Sequence, residues 1–212
     1  MSQHAPTDRT RLRRMGHKAA HDKATIHAIL DACPVAHVGY VVDGAPHVTP
    51  TLQWRGGDRV FWHGSAASRF LRAILGTQAC LTVTLTDGLV LARSGFEHSI
   101  SYRSAMLFGP VQAVTDPAEK EARLKEMMDQ MFPGRWPLLR PMTAQELKAT
   151  TILTMPIDEA SAKISAEMPD DPPEDRLWPV WAGIVPLETR LGKPEPAPDC
   201  VPGTPLPQVK FG

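Results

Sequence analysis

Apolar and polar residues alternate with a period of two in several short stretches of the chain, which is the pattern of half-buried β-strands. Residues 36–42 and 46–54 form two such stretches, and Asp43-Gly44 between them is one of the strongest sequence signals for a two-residue hairpin. Residues 60–63 return after a glycine-rich turn and complete a predicted three-stranded meander. Further strands are predicted at 79–85 and 89–92, which flank a second Asp-Gly pair, at 98–114 with a bend near Gly109-Pro110, and at 151–157.

Four other segments carry the 3.6-residue apolar spacing or the capping residues of helices. The clearest follows Asp116, where a proline at the first helical position and Glu119 three residues after the cap predict a helix to Met131. The other predicted helices are one over 22–32 capped by Asp22, one from a cap near Ser65 to Gly76, and a short one after the capping-box residue Thr143. Many short strands with tight turns and a few helices indicate a mainly β fold of the barrel kind.

A polar stripe is predicted within the strand at 98–114. Ser99, Ser101 and Arg103 are spaced two apart, so their side chains share one face, and two hydroxyls and a guanidinium can lie beside one oxyanion. Arginine suits this task because its planar fork donates two parallel hydrogen bonds to a phosphate or carboxylate. An internal Asp or Glu is the alternative partner for that guanidinium. The opposite face is mostly apolar and is predicted to pack in the core, through His98, Ile100, Tyr102, Met106 and Phe108.

A second anion site is predicted near Ser65, because the free N–H groups of a first helical turn attract anions. Ser65, Ser68 and Arg69 lie there, directly after Trp62-His63-Gly64. The alternatives are that Ser65 only caps the helix and that Arg69 is an ordinary surface residue.

His63 and His98 are the candidates for proton transfer or for haem ligation, since imidazole titrates near neutral pH and binds iron. A purely structural histidine is the alternative in both cases. The three cysteines are widely spaced, which argues against a disulfide framework and against a paired-cysteine zinc site. We therefore predict no metal site.

Composition narrows the class of partner. The 212 residues balance 23 Lys and Arg against 23 Asp and Glu, so the net charge is zero and no nucleic-acid partner is predicted. No apolar stretch approaches the roughly 20 residues of a membrane span, and no signal-peptide core follows the basic N-terminus, so we expect a cytoplasmic protein without a membrane partner. We divide the chain into a flexible basic N-terminal arm (1–21), one domain (22–192) and an extended proline-rich C-terminal arm (193–212).

Several short motifs follow one another along most of the chain: Asp43-Gly44-Ala45-Pro46, Trp62-His63-Gly64-Ser65, Asp87-Gly88-Leu89-Val90, His98-Ser99 with Tyr102-Arg103-Ser104, Pro133-Gly134-Arg135, Ser161-Ala162-Lys163 and Trp181-Ala182-Gly183-Ile184-Val185-Pro186. In their order and spacing the chain resembles the pyridoxamine 5'-phosphate oxidase-like FMN-binding split-barrel family, near the branch of the nitroimidazole-resistance proteins. The resemblance implies a six-stranded antiparallel split β-barrel of the FMN-binding type. It also implies a homodimer with FMN sites at the subunit interface.

The resemblance also implies the positions of the cofactor-binding residues. Thr49, Pro50, Thr51 and Leu52 would lie along the isoalloxazine ring. Ser65, Ser68, Arg69 and Arg103 would lie near the phosphate, and the other predicted contacts are Trp62, His63, Gly64, Ser99, Ser101, Tyr102, Ser104, Lys163 and Trp181. For Lys163 and Trp181 the alternatives are a solvated lysine and a tryptophan that only anchors the C-terminal segment.

The predicted function is an FMN-dependent oxidoreductase that passes electrons from a reduced nicotinamide, NAD(P)H, through the flavin to a small nitro compound or quinone. No catalytic side chain is identified beyond the candidate His63, and the cofactor itself carries such chemistry. Three alternatives stay open: a pyridoxamine 5'-phosphate oxidase, a haem-binding or haem-degrading split barrel with His63 or His98 as iron ligand, and a non-enzymatic flavin-binding module.

Overall fold

The computed structural model describes residues 4–210, which form a mainly antiparallel β fold with a few helices around it. The strands in this part of the chain are β1 (Ala19–Ala20), β2 (Val35–Val42), β3 (Ala45–Gly56), β4 (Arg59–Ser65), β5 (Gln78–Leu91), β6 (Ser99–Pro110), β7 (Gln112–Val114), β8 (Thr150–Pro156), β9 (Glu159–Ser165) and β10 (Gly183–Pro186). The α-helices are α1 (Lys23–Ala32), α2 (Arg69–Ile74), α3 (Pro117–Met131) and α4 (Ala144–Ala149).

The strand that organises the sheet is β3, which changes its strand partner halfway along. Its first half pairs with β2 as far as the pair Val35 and Leu52, and its second half pairs with β4 from the pair Gln53 and Trp62 onward. The hydrogen-bonded order is β1-β9-β6-β5-β2-β3-β4-β8-β7, with β10 added to β5. Within the described residues the two end strands, β1 and β7, do not pair with each other, so the ladder stays open.

The prediction of a mainly β antiparallel fold with added helices is confirmed, but the described sheet has ten strands where six were predicted. Among the additional strands, β1 and β10 have only two and four residues, and β9 has seven. Their sequences are rich in alanine, serine, glycine and proline, which have low strand propensity. β1 forms by pairing with β9, β9 by pairing with β6, and β10 by pairing with β5. No local sequence pattern predicts these three strands.

Two apolar clusters hold the fold together. The larger lies inside the curved sheet and is closed by α1, which packs against β3, β5, β6 and β9. The smaller, here called the second cluster, contains Trp54, Phe61, Val114, Leu124 and Ile152. It lies between the far half of β3, β4, β7 and β8 on one side and α3 on the other, and Trp54 stacks on Phe61 with ring centroids 5.8 Å apart.

The structure reverses the faces predicted for β6. Ala105 and Leu107 are 1% and 0% exposed, so the face that they share with Arg103 points into the core. Ile100 and Met106 of the face predicted to be buried are 46% and 41% exposed. An alternating pattern predicts that the two faces of a strand differ. It does not by itself determine which face packs against the core, here the one with serine and arginine or the one with isoleucine and methionine.

The predicted hairpin at Asp87-Gly88 is also wrong, because β5 runs unbroken through these residues. The register with β6 shifts between Thr86 and Gly88, so Asp87 forms a bulge in a continuous strand. A side chain at Gly88 would come within 2.9 Å of the Val185 carbonyl oxygen of β10, so the glycine here serves a close strand contact. At the predicted hairpin of residues 43–44, by contrast, both φ angles are positive, as a tight hairpin turn requires.

Three of the four predicted helix caps are confirmed. Asp22, Asp116 and Thr143 cap α1, α3 and α4 as predicted. The cap of α2 is Ser68, whose hydroxyl accepts from the Leu71 N–H, and not Ser65, which ends β4. A Ser-x-x-Ser spacing offers two caps one turn apart, and the longer pairing of β4 with β8 selects the second.

The two arms behave differently. The described part of the N-terminal arm, expected to be solvated, lies against the sheet: Thr10 is 2% exposed, and Thr7 and Arg9 both donate to the Glu159 carboxylate of β9. Residues 193–210 contain no helix or strand, and the Lys210 N–H donates to the Met131 carbonyl at 2.8 Å.

No helix within residues 4–210 is both long enough and apolar enough to span a membrane.

The assignment of the faces of β6 can be tested with two truncations to alanine. Leu107→Ala removes a fully buried side chain, so the free energy of unfolding should fall by about 3 kcal/mol. Ile100→Ala removes the same number of carbon atoms from the opposite face, where the side chain is 46% exposed, and should change it by no more than about 1 kcal/mol. Urea unfolding at one protein concentration gives both values. Equal losses would contradict the assignment.

Candidate functional site

The stripe residue Arg103 has an internal partner. Its Nε and Nη2 donate to the two carboxylate oxygens of Asp87, both at 2.8 Å, and this bidentate bond raises the pKa of Arg103 above its ordinary value. This ion pair with Asp87 is the alternative that the sequence left open, in which an internal acidic residue is the partner of Arg103. Both side chains are partly exposed, 43% and 36%, so solvent and any ligand still reach the guanidinium. Asp87 was missed as a site residue because its Asp-Gly pair was interpreted as a turn.

The other β6 candidates divide between two faces. Ser101 is buried on the inner side, and its hydroxyl has no hydrogen-bond partner among the described residues. Tyr102 and Ser104 lie on the outer side, where Ser104 pairs with Lys163 of β9 and the Lys163 ammonium lies 5.5 Å from the centre of the Tyr102 ring. The structure therefore brings Tyr102, Ser104 and Lys163 together on the outer face and separates them from Ser101. Ser99 is exposed at the start of the strand.

The β3 candidates Thr49, Pro50, Thr51 and Leu52 pair with residues 35–38 of β2. Cross-strand register places Pro50, His37, Thr82 and Met106 in one row, so Pro50 is three strand spacings, about 14 Å, from β6. The Thr49 hydroxyl bonds the Tyr40 hydroxyl at 3.1 Å. Pro50 thus lies on the outer face with Met106, Tyr102 and Ser104, whereas Thr49 is in the row of the buried Val38, Leu81 and Leu107, so the β3 candidates, like those of β6, divide between the two faces.

The candidates around the end of β4 lie next to one another, but several of their polar groups are already hydrogen-bonded to nearby backbone. The Ser65 hydroxyl accepts from the Ala67 N–H at 3.2 Å, and Ser68, not Ser65, caps α2. Arg69 is exposed. Trp62 is fully enclosed in the larger core, and a side chain at Gly64 would meet Leu71 at 3.0 Å.

Trp181 is 63% exposed and leans on Gly183 at the start of β10. β10 pairs with β5 from Leu91 to Gly88, and the Leu187 N–H donates to the Asp87 carbonyl at 2.9 Å. The bulge that carries Asp87 is therefore fixed on both sides, by β6 and by β10.

The two candidate histidines have opposite environments. His98 is exposed, and its Nδ1 is 2.8 Å from the Ser94 carbonyl oxygen. His63 stands beside the second cluster, with its ring 5.8 Å from Trp54, and its Nδ1 is buried without a hydrogen-bond partner among the described residues. Burial lowers the pKa of His63 below its ordinary value, so the imidazole is held neutral at pH 7. A neutral buried imidazole with an unused nitrogen is a ready metal ligand.

Within residues 4–210 no group of three or more His, Cys, Asp or Glu side chains is arranged to hold a metal ion by itself. Iron ligation at His63 would therefore require a prosthetic group that supplies the other ligands, as haem does.

A family model described as pyridoxamine 5'-phosphate oxidase matches residues 22–164. The chain belongs to the pyridoxamine 5'-phosphate oxidase family, as the order of its motifs indicated. A comparison with the curated proteins finds no match.

Two solved structures are each 43% identical to the chain. One is the flavocytochrome Anf3 from Azotobacter vinelandii, which aligns over 99% of this chain and 100% of its own, with a TM-score of 0.93. The other is the FAD and haem binding protein from Mycobacterium smegmatis, which aligns over 90% of this chain and 94% of its own, with a TM-score of 0.86. A proposed 5-nitroimidazole antibiotic resistance protein from Bacteroides thetaiotaomicron, 21% identical over 69% of this chain and 86% of its own with a TM-score of 0.57, shares the fold.

Proposed function

We propose that the chain is a redox protein that binds both a flavin and a haem. Its 43% identity over nearly the whole length to a flavocytochrome and to an FAD and haem binding protein supports this class. The observation in the structure that carries the proposal is the buried, unpartnered Nδ1 of His63, since a polar atom left without a partner in an apolar setting indicates a missing ligand.

The surroundings of His63 fit a haem. Trp54 and Phe61 of the second cluster are fully buried next to it, and Leu52, Met127 and Trp136 pack against the same cluster. A flat apolar macrocycle would need such a lining, and the neutral imidazole of His63 is the side chain that would hold its iron. Haem iron, when bound, supplies one-electron chemistry. His63 is favoured over His98 because the latter is exposed and already engaged with a backbone carbonyl.

The flavin is proposed to lie over the stretch of sheet between the β3 and β6 candidates. On the outer face of β6, Lys163 would supply positive charge and the half-buried Ser104 a hydroxyl, and the partly exposed Arg103 would supply a second positive charge from the neighbouring position of the strand. The relatives with 43% identity favour FAD over the FMN that the resemblance implied, because the second of them is named for FAD.

The proposed activity is that of an oxidoreductase. A reduced nicotinamide, NADH or NADPH, is the proposed electron donor, and a small nitro compound or quinone is the proposed acceptor. The chain's own task is to bind and orient the two groups.

A homodimer is proposed as the working form. The segment from Leu177 to Leu191 displays large apolar side chains to solvent, with Leu177 93% and Trp178 64% exposed. The outer face of the sheet exposes others, including Val48 and Met106. Patches of this extent on a small protein are typical of interaction surfaces.

Cofactor content tests the proposed function directly. The purified protein, supplied with haem and flavin, should show a Soret band and a flavin band, and the flavin released by denaturation should chromatograph as FAD. His63→Ala should weaken haem binding by more than about tenfold, since even groups that only support a metal ligand contribute that much, and should leave flavin binding intact. His98→Ala is the matched control and should keep both. Wild-type protein that takes up neither group would refute the proposal.

The role of Arg103 is separated from that of its ion pair by two variants. If Arg103 holds the flavin phosphate, Arg103→Ala should weaken flavin binding by about 2 kcal/mol through the lost charged hydrogen bond. Asp87→Asn should leave binding unchanged or tighten it, because it removes a negative charge beside the phosphate. Titrations with FAD and FMN, followed by flavin fluorescence, give the affinities. If both variants weaken binding alike, the pair acts only as a structural brace.

Light scattering tests the dimer, with an expected molar mass of twice 23.2 kDa. Leu177→Ser with Trp178→Ser should shift the protein toward the monomer, because both side chains are mostly exposed in one chain and contribute little to its own fold. Leu138→Ser, at a site that is 78% exposed but outside this segment, should not. A monomeric wild-type protein would contradict the proposal.

A further inference from the structure

Part of the N-terminal arm forms a loop that is held at both ends on the edge of the sheet. At one end Arg9 donates to the Glu159 carboxylate, at the start of β9. At the other end Ala19 pairs with Lys163, four residues further along the same strand. The two anchors on β9 are therefore about 13 Å apart. Residues 10–18 between them are here called the arginine loop.

Three arginines of the loop have no protein partner. Arg11, Arg13 and Arg14 are exposed, and their guanidinium groups form no hydrogen bond or ion pair with any residue of 4–210. By contrast, Lys18 of the same loop is paired with Glu167 at 2.7 Å. Three like charges so close in sequence repel one another, and arginine donates bidentate hydrogen bonds to phosphates and carboxylates. An anion is therefore the ligand that suits the loop.

The nearby carboxylates limit where such an anion can bind. A cleft lined in part by Met15 also contains Glu97 and Asp170, whose negative charges would repel a phosphate. Asp8 is the one acidic residue among residues 4–18, so it cannot compensate three guanidinium groups. The anion is therefore expected on the arginines themselves and not in the cleft.

The loop adjoins the surface proposed for the flavin. It continues into β1, which pairs with β9 at Lys163, and neighbouring strands are about 5 Å apart. Its other anchor, Arg9, lies with its guanidinium 4.9 Å from the centre of the Phe108 ring. Phe108 shares the outer face of β6 with Tyr102 and Ser104. The loop is thus placed to bind the far end of a dinucleotide whose nicotinamide meets the flavin.

We propose that the arginine loop binds the 2′-phosphate of NADPH and so selects NADPH over NADH as the electron donor. This inference rests on the proposed function, which includes a reduced nicotinamide as donor. The 2′-phosphate is a monoester with nearly two negative charges at pH 7, and it matches a cluster of guanidinium groups. NADH has a hydroxyl at this position and leaves the cluster without a counter-charge.

Two nucleotide fragments test the selection without turnover. 2′,5′-ADP carries the distinguishing phosphate, and 5′-AMP lacks it. In calorimetric titrations of the full-length protein supplied with flavin and haem, 2′,5′-ADP should bind at least about tenfold more tightly than 5′-AMP. The difference should shrink as salt is added, because the arginines are exposed. Equal affinities would overturn the proposal, as would the absence of 2′,5′-ADP binding.

A triple variant locates the effect on the loop. Arg11→Gln, Arg13→Gln and Arg14→Gln together should weaken 2′,5′-ADP binding at least about tenfold and leave the affinities for 5′-AMP and flavin unchanged. The unfolding midpoint should stay close to that of the wild type, because these side chains are exposed. Arg140→Gln is the matched control, an exposed arginine outside the arm and paired with Glu146, and should change neither nucleotide affinity.

The outcomes separate this inference from the proposed function. A triple variant that keeps its 2′,5′-ADP affinity, or that loses flavin to the same extent, would overturn the role of the loop. A protein that takes up flavin and haem but binds both nucleotides alike would overturn this inference and leave the proposed function intact. Absence of both cofactor bands from the absorption spectrum would refute the proposed function, and this inference with it. If the triple variant does not fold, the two-nucleotide comparison on the wild type decides alone.

Discussion

The change of partner along β3 is the constraint on which the rest of the structure depends. Up to Leu52 the strand is paired with β2, and from Gln53 it is paired with β4. Beyond that point one edge of β3 has lost its strand neighbour, and side chains take over: Gln53 holds the end of α1, and Gln130 of α3 donates to the Arg55 carbonyl. Backbone groups that a strand would have satisfied are thereby bonded to helices.

The same change of partner creates the two environments of functional interest. Gln53 faces the end of α1, whereas its neighbour Trp54 joins the second cluster and stands beside His63. His63 of β4 is therefore half-buried and neutral because the second half of β3, which pairs with β4, brings Trp54 against it. Gln53 Oε1, Trp54 Nε1 and His63 Nδ1 are each buried without a hydrogen-bond partner among the described residues, and such groups are costly.

Charge in this protein is mostly compensated within the chain. Arg103 is paired with Asp87, Arg9 with Glu159, and Arg93 with the buried Asp171, whose Oδ2 lies 2.8 Å from Nη1. Opposite charges are thus balanced within these local ion pairs as well as over the whole chain. A phosphate at Arg103 would have to share the guanidinium with Asp87, so recognition of a nucleotide rests as much on hydroxyls and sheet surface as on a free cation.

The sequence by itself determined what short-range physics controls. Alternating apolar residues predicted the main strands. The helix starts were predicted from the capping residues Asp22, Asp116 and Thr143, and the first hairpin from Asp43-Gly44. Each of these features depends on bonds within a few residues of the chain. The residues singled out from the sequence included His63 and Arg103 but not Asp87, the partner of Arg103.

Only the tertiary structure decided which face of β6 is buried, that Asp87-Gly88 is a bulge and not a turn, and which partner Arg103 takes. Each of these outcomes depends on a strand or helix distant in the chain: β10 and β6 flank the bulge, and α1 closes the core over the inner face. A period of two in sequence is symmetric between faces, and two Asp-Gly pairs are identical until their neighbours are known. Packing breaks that symmetry, because only one arrangement buries the apolar area and satisfies the backbone at the same time.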